Sequence, residues 1–187
     1  MPNWIKTYVK LVDALNYRIG RFAMYLLYLL MGVLLYSVVS KGLGTPANWP
    51  IEMAQFTMVA YYMLGGPYSL QLDSNVRMDL LYGRWSDRTK AWVDAFSIFA
   101  MIFYLVVLLW GAYDSTVYSL GLKWVDTEVL GLTIPWPQTG FLERNPSLWR
   151  PVIWPIKVIM VIGIFLMLLQ AIAFFFKDVA RLRGEEL

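Results

Sequence analysis

The side chains best placed to do chemistry in this sequence are three ionisable residues set into long apolar runs: Glu52, Asp94 and Lys157. A charge held away from water can carry a proton or bind an ion, so an ionisable residue in such a run is a functional candidate by default. Glu52 would be the centre of such a relay. Each of the three falls within a turn or two of the end of its run, where a long side chain can reach water or headgroups. Solvation at an interface, or pairing with a partner protein, is therefore the plainer account of all three. No acid occupies the middle of a run, where a self-sufficient ion-coupled transporter places one.

The remaining chemistry is narrowed by absence. The 187 residues include neither Cys nor His. Disulfides, thiolate nucleophiles, iron–sulfur clusters and the usual zinc sites are excluded, as are a bis-histidine haem and a Ser–His–Asp relay. No catalytic residue, cofactor or metal is expected, and the chain does not read as an enzyme. A net charge of +3 gives no reason to expect a nucleic-acid partner.

The elements that position these residues are membrane helices. Apolar residues make up 59% of the chain and charged ones 16%, against ~45–50% and ~25% in soluble domains. Phe22–Val39 carries no charge and reaches the ~17–25 residues that span a bilayer. Four spans are expected, at residues 22–40, 51–72, 91–113 and 152–176, which makes the fold an all-α membrane domain. Residues 4–20 precede them. Trp4, Tyr8, Leu11, Val12, Leu15 and Ile19 recur there at helical spacing, with Lys6, Lys10, Asp13 and Asn16 mostly off that stripe. The pattern predicts an amphipathic helix in the membrane interface; a polar extension of the first span is the alternative. Gly65-Gly66-Pro67 should bend or loosen the second span. Residues 73–90 form a polar connection. Residues 114–151 form a longer one, whose apolar stretch Val129–Trp136 is too short to span and is expected on the membrane surface or against a partner. Residues 177–187 are the tail.

Charge orients the bundle. Lys6, Lys10, Arg18, Arg21, Arg77, Arg84, Arg88, Lys90, Lys177, Arg181 and Arg183 fall on one side. Lys41, Lys123, Arg144, Arg150 and Lys157 fall on the other. The positive-inside rule puts the richer side, with both termini, in the cytoplasm.

The middle connection carries a resemblance. Leu70–Tyr82 contains Val76-Arg77-Met78-Asp79, which is similar to the motif after the second span of the small membrane subunit of tripartite ATP-independent periplasmic (TRAP) transporters, the DctQ-like family. Asn75 stands where His is usual, so no role that needs an imidazole carries over. A second match runs from Glu143 and Ser147–Lys157 to Gln170. The resemblance implies a bacterial inner-membrane subunit that widens and anchors the static scaffold of a sodium-coupled importer. The transport site would lie in a separate large membrane subunit. A periplasmic substrate-binding protein would deliver an organic acid or related solute. On that reading Arg77 and Asp79 pair with each other or contact the large subunit, and Trp49 and Glu52 help to dock the binding protein. The competing readings are a small proton-coupled transporter using Glu52, and a haem-free anchor for a respiratory enzyme.

Overall fold

The computed structural model describes residues 2–72, 87–129 and 132–182. Its helices are α1 (Asn3–Gly42), α2 (Pro50–Gln71), α3 (Asp87–Ser119) and α4 (Trp154–Leu182). Between α3 and α4 lie two strands, β1 (Leu122–Val129) and β2 (Leu132–Thr139).

The expected interfacial helix and first span are one continuous helix. Nothing between them breaks it: Gly20 alone is tolerable in a helix, and its missing side chain lets Tyr68 of α2 lie directly against the α1 backbone. At 40 residues α1 is ~60 Å long, about twice the ~30 Å of a hydrocarbon core. Part of it must therefore leave the hydrocarbon, and the charged end from Lys6 to Arg21 is the part suited to do so. The other end stops at Gly44, whose φ of 73° favours a glycine. There the Gly44 and Thr45 N–H groups donate to the carbonyls of Lys41 and Ser40, closing the last turn as a Schellman motif.

Among the described residues, three helices are long and apolar enough to cross a membrane: α1, α3 and α4. The 22 residues of α2 span ~33 Å as a helix, but Glu52, Gln55, Gly65, Gly66 and Pro67 dilute its apolar character. It runs antiparallel to α1, from the Tyr36–Trp49 ring contact to the approach of Gly20 and Tyr68. Between Tyr36 and Gly20 that is ~24 Å of shared length.

The centre of the bundle is α4, which packs against all three other helices. Its contact with α2 depends on Pro67. A proline has no N–H to offer the carbonyl four residues back, so the Met63 carbonyl loses its helical donor. Gly163 of α4 sits against that carbonyl so closely that a Cβ there would lie 2.6 Å from the oxygen. Leu105 and Ala112 of α3 pack with Ile164 and Ala171 of α4, and Met63 of α2 borders the same cluster. The residues of α3 that face away are large and exposed: Phe96, Phe99, Phe103, Val107 and Trp110.

The all-α expectation needs one correction. The connection between α3 and α4 holds an antiparallel strand pair in which Val129 pairs with Leu132 and Leu122 with Thr139. Of the apolar stretch, Val129 ends β1 and residues 132–136 make most of β2. Pro135 and Pro137 are compatible with this because the sheet has only two strands and the prolines are two residues apart. Both can take positions whose N–H would point away from β1.

Candidate functional site

The end of the bundle where α1 starts and α4 finishes is joined by a polar network that links α1, α2 and α4. Asn16 Nδ2 donates to Gln170 Oε1 at 2.6 Å, and Gln170 Nε2 donates to Asp13 Oδ1 at 3.0 Å. Lys177 Nζ reaches Asp13 Oδ2 at 2.7 Å, and Gln71 Nε2 donates to the Asp13 carbonyl at 3.2 Å. Gln170 is 0% and Asn16 1% exposed, so their hydrogen bonds are made out of water. The network stands beside an apolar cluster of Ile5, Val9, Val12 and Ala173, with the Trp4 and Tyr8 rings set edge-on to Phe176. Residues 4–16 of α1 meet only residues 169–177 of α4 in these contacts, so the two helices cross rather than run side by side.

The predicted apolar stripe on this segment is thereby divided. Tyr8 and Val12 turn inward with Ile5, Val9 and Asn16, while Trp4, Leu11 and Leu15 stay exposed. Asn16, placed off the stripe by its polarity, is among the most buried side chains.

The opposite end has a second polar junction. Lys157 Nζ pairs with Glu143 Oε2 at 2.6 Å and donates to the Ser115 carbonyl at 3.3 Å. The Glu143 N–H donates to the Ser119 carbonyl, and its own carbonyl accepts from the Ile153 N–H. Glu143 thus ties the loop after the hairpin to the last turn of α3 and the first turn of α4. The Lys157 ammonium holds the Glu143 carboxyl below its ordinary value, against a smaller opposing effect of desolvation. In the same loop Arg150 adopts a φ of 51°, a rare conformation for a side-chain-bearing residue. Its N–H donates to Ser147 Oγ, and its carbonyl accepts from Arg144. Lys157, a candidate for ion chemistry by its apolar surroundings, is therefore a structural cation.

Of the other candidates, Trp49 is half-buried against Tyr36, with ring centroids 5.2 Å apart. Glu52, in the first turn of α2, is 7% exposed, and its Oε2 has no hydrogen-bond partner among the described residues. A carboxylate at a helix N-terminus is favoured by the aligned peptide dipoles. Asp94 lies in α3, and Arg77 and Asp79 lie outside the described residues. The network around Asn16 and Gln170 was the least visible part of the site. Its signal was Gln170, a lone amide in an apolar run, since buried amides in membrane helices find partners on neighbouring helices.

These groups hold helices together. The Asn16–Gln170–Asp13–Lys177 network is made of amides and one ion pair, and the Lys157–Glu143 junction is a salt bridge with backbone bonds. Long apolar helices joined in this way define a multi-pass membrane protein. The DctQ component model of the tripartite ATP-independent periplasmic transporters matches residues 30–181, and the chain belongs to that family. It is thus a component of a transport system of the inner membrane. No curated protein and no solved structure shows a significant match.

Proposed function

We propose that this chain is the small scaffold and anchor subunit of a sodium-coupled, binding-protein-dependent importer of an organic acid or related solute. The transport site lies in a separate large membrane subunit. The observation that carries this reading is the family match together with the use of the chain's own polar groups. Asn16, Gln170, Asp13, Lys177 and Glu143 bond to one another or to backbone, which leaves a rigid bundle with apolar outer faces.

In this reading α2 is the fourth span, because it lies antiparallel beside α1 over most of its length. The charged part of α1 rests at the cytoplasmic interface, and both termini are cytoplasmic. The exposed aromatic face of α3 meets the large subunit or lipid. Arg77 and Asp79, in the inner connection, pair with each other or with the large subunit. The outer side, with Trp49, the first turn of α2 and exposed Phe141, Leu148 and Trp149, receives the periplasmic binding protein.

The test is purification of the tagged chain from its native membrane in mild detergent, with copurifying proteins identified by mass. A stoichiometric large polytopic subunit is expected. Recovery of this chain alone as a stable homo-oligomer would refute the reading. Arg77→Ala should break the complex, since removing one member of a buried ion pair costs ~3–5 kcal/mol; an intact and fully active complex would remove that assignment. A proton-coupled transporter using Glu52 is the second reading, favoured by the unpartnered buried oxygen of that residue. It predicts transport by the purified chain without partners.

A further inference from the structure

A cleft of about 400 Å³ lies along the seam between α1 and α2. Gly20 and Ala23 of α1 and Tyr61, Gly65, Tyr68 and Leu72 of α2 are among its walls. The volume falls in the ~300–1,000 Å³ range of ligand pockets. Gly65 is the open part of the wall, since a Cβ added there would meet no atom within 4 Å. One turn or so away, at Gly20, the two helices touch, which narrows the cleft toward the end of α2, while its other end runs along the charge-free part of α1 to Tyr61.

A cation stands beside that narrow end. The Arg21 guanidinium lies 5.9 Å from the centroid of the Tyr17 ring. Tyr17 in turn meets Tyr68 edge-on, with centroids 5.8 Å apart. Arg21 is exposed, and no acid pairs with it among the described residues. It also marks a depth. The charge-free run of α1 begins at the next residue, Phe22, so Arg21 sits where hydrocarbon gives way to headgroups.

We propose that the cleft is a phospholipid site: an acyl chain lies along the α1–α2 seam past Gly65, and the phosphate of an anionic headgroup meets Arg21. The apolar wall and the exposed apolar residues beside it, Met24 and Tyr62, match a chain that arrives from the bilayer. The order of the parts, cation at the boundary and cleft on its hydrocarbon side, is the order of headgroup and chain in a lipid. The α1 half of the site precedes residue 30, where the family match begins. The proposal requires that α1 and α2 lie side by side in the membrane and is otherwise independent of the scaffold reading.

The test uses the full chain, with whatever subunits copurify, in mild detergent and in nanodiscs containing equal phosphatidylglycerol and phosphatidylcholine. Bound lipid is counted and identified by native mass spectrometry. The wild type is expected to retain one phospholipid, enriched in phosphatidylglycerol. Gly65→Leu, which places a side chain in the cleft, should lose it. Gly65→Ala should keep both lipid and thermal stability. Arg21→Gln should keep a lipid but lower the preference for phosphatidylglycerol about fivefold, the contribution of one basic residue near an anionic surface. Equal lipid retention by wild type and Gly65→Leu, with Gly65→Leu folded, would overturn the proposal. So would loss of a copurifying subunit from Gly65→Leu with bound lipid unchanged, since a protein would then fill the cleft.

Discussion

Replacing Gly163 by Ala tests the account of the α2–α4 contact at a single methyl group. The added Cβ would lie 2.6 Å from the Met63 carbonyl oxygen, 2.8 Å from its Cβ and 2.9 Å from its carbonyl carbon. All three atoms are fixed by the α2 backbone, so no side-chain rotation relieves the clash. The helices must separate by something under ~1 Å, which weakens contacts over much of the interface. Overpacking of this kind costs ~1–3 kcal/mol. Gly→Ala also raises helix propensity by up to ~1 kcal/mol, which would mask part of the loss. Gly65→Ala is the matched control, because a Cβ there meets nothing within 4 Å and the propensity gain is shared. The expected stability difference between the two variants is therefore ~1–3 kcal/mol, with Gly163→Ala the weaker. Unfolding by sodium dodecyl sulfate in mixed micelles, followed by tryptophan fluorescence and circular dichroism, measures it. Equal midpoints would refute the argument that Gly163 is there to admit the Met63 carbonyl.

Three further outcomes follow from the polar groups. Gln170→Leu leaves the Asn16 amide and one Asp13 oxygen without their partner, so it should destabilise the bundle by ~1–3 kcal/mol in the same micelle assay; Asp13→Asn should cost less, ~0–1 kcal/mol, because its ion pair with Lys177 is partly exposed. The Glu143 carboxyl is held below its ordinary 4.5 by Lys157, so its contribution is present above that pH and is lost as pH falls through the lower folded value. Protection factors for hydrogen exchange at the Ile153 and Glu143 amides should then be high at neutral pH and fall below about pH 4.5, and Lys157→Met should remove that acid limb; an unchanged profile would count against the junction. Glu52→Gln should leave transport by the assembled complex intact if Glu52 is a helix-terminal carboxylate, whereas loss of transport with assembly preserved would favour the proton-relay reading.

Much of this was legible in the sequence because a bilayer imposes strong constraints. Every backbone polar group in hydrocarbon must be paired within its own segment, so a long charge-free run is a helix almost irrespective of its neighbours. That principle located the four helices, and the Val76–Asp79 motif pointed to the family before any fold was in hand. Absence of Cys and His removed whole classes of chemistry by the same kind of composition argument. The hairpin was not legible, since its second strand contains Pro135 and Pro137, which argue against a strand until the partner on only one side is known. The continuity of α1 through Gly20 was also beyond reach, because Gly20 reads equally well as a break or as a point of close approach.

Sequence alone thus determined which segments are helical, which end of the bundle is basic and which family the chain resembles, since each follows from local composition or short motifs. The tertiary structure decided which polar residues meet. Asp13 and Lys177 lie at opposite ends of the chain, and no periodicity brings them together. Asn16 and Gln170 are separated by most of the sequence as well. The spans are apolar nearly all round, so hydrophobic pattern does not choose their neighbours. Pairing was set instead by shape at Gly20 and Gly163, where a missing side chain lets another helix approach the backbone, and by the few amides that find hydrogen-bond partners on a neighbouring helix.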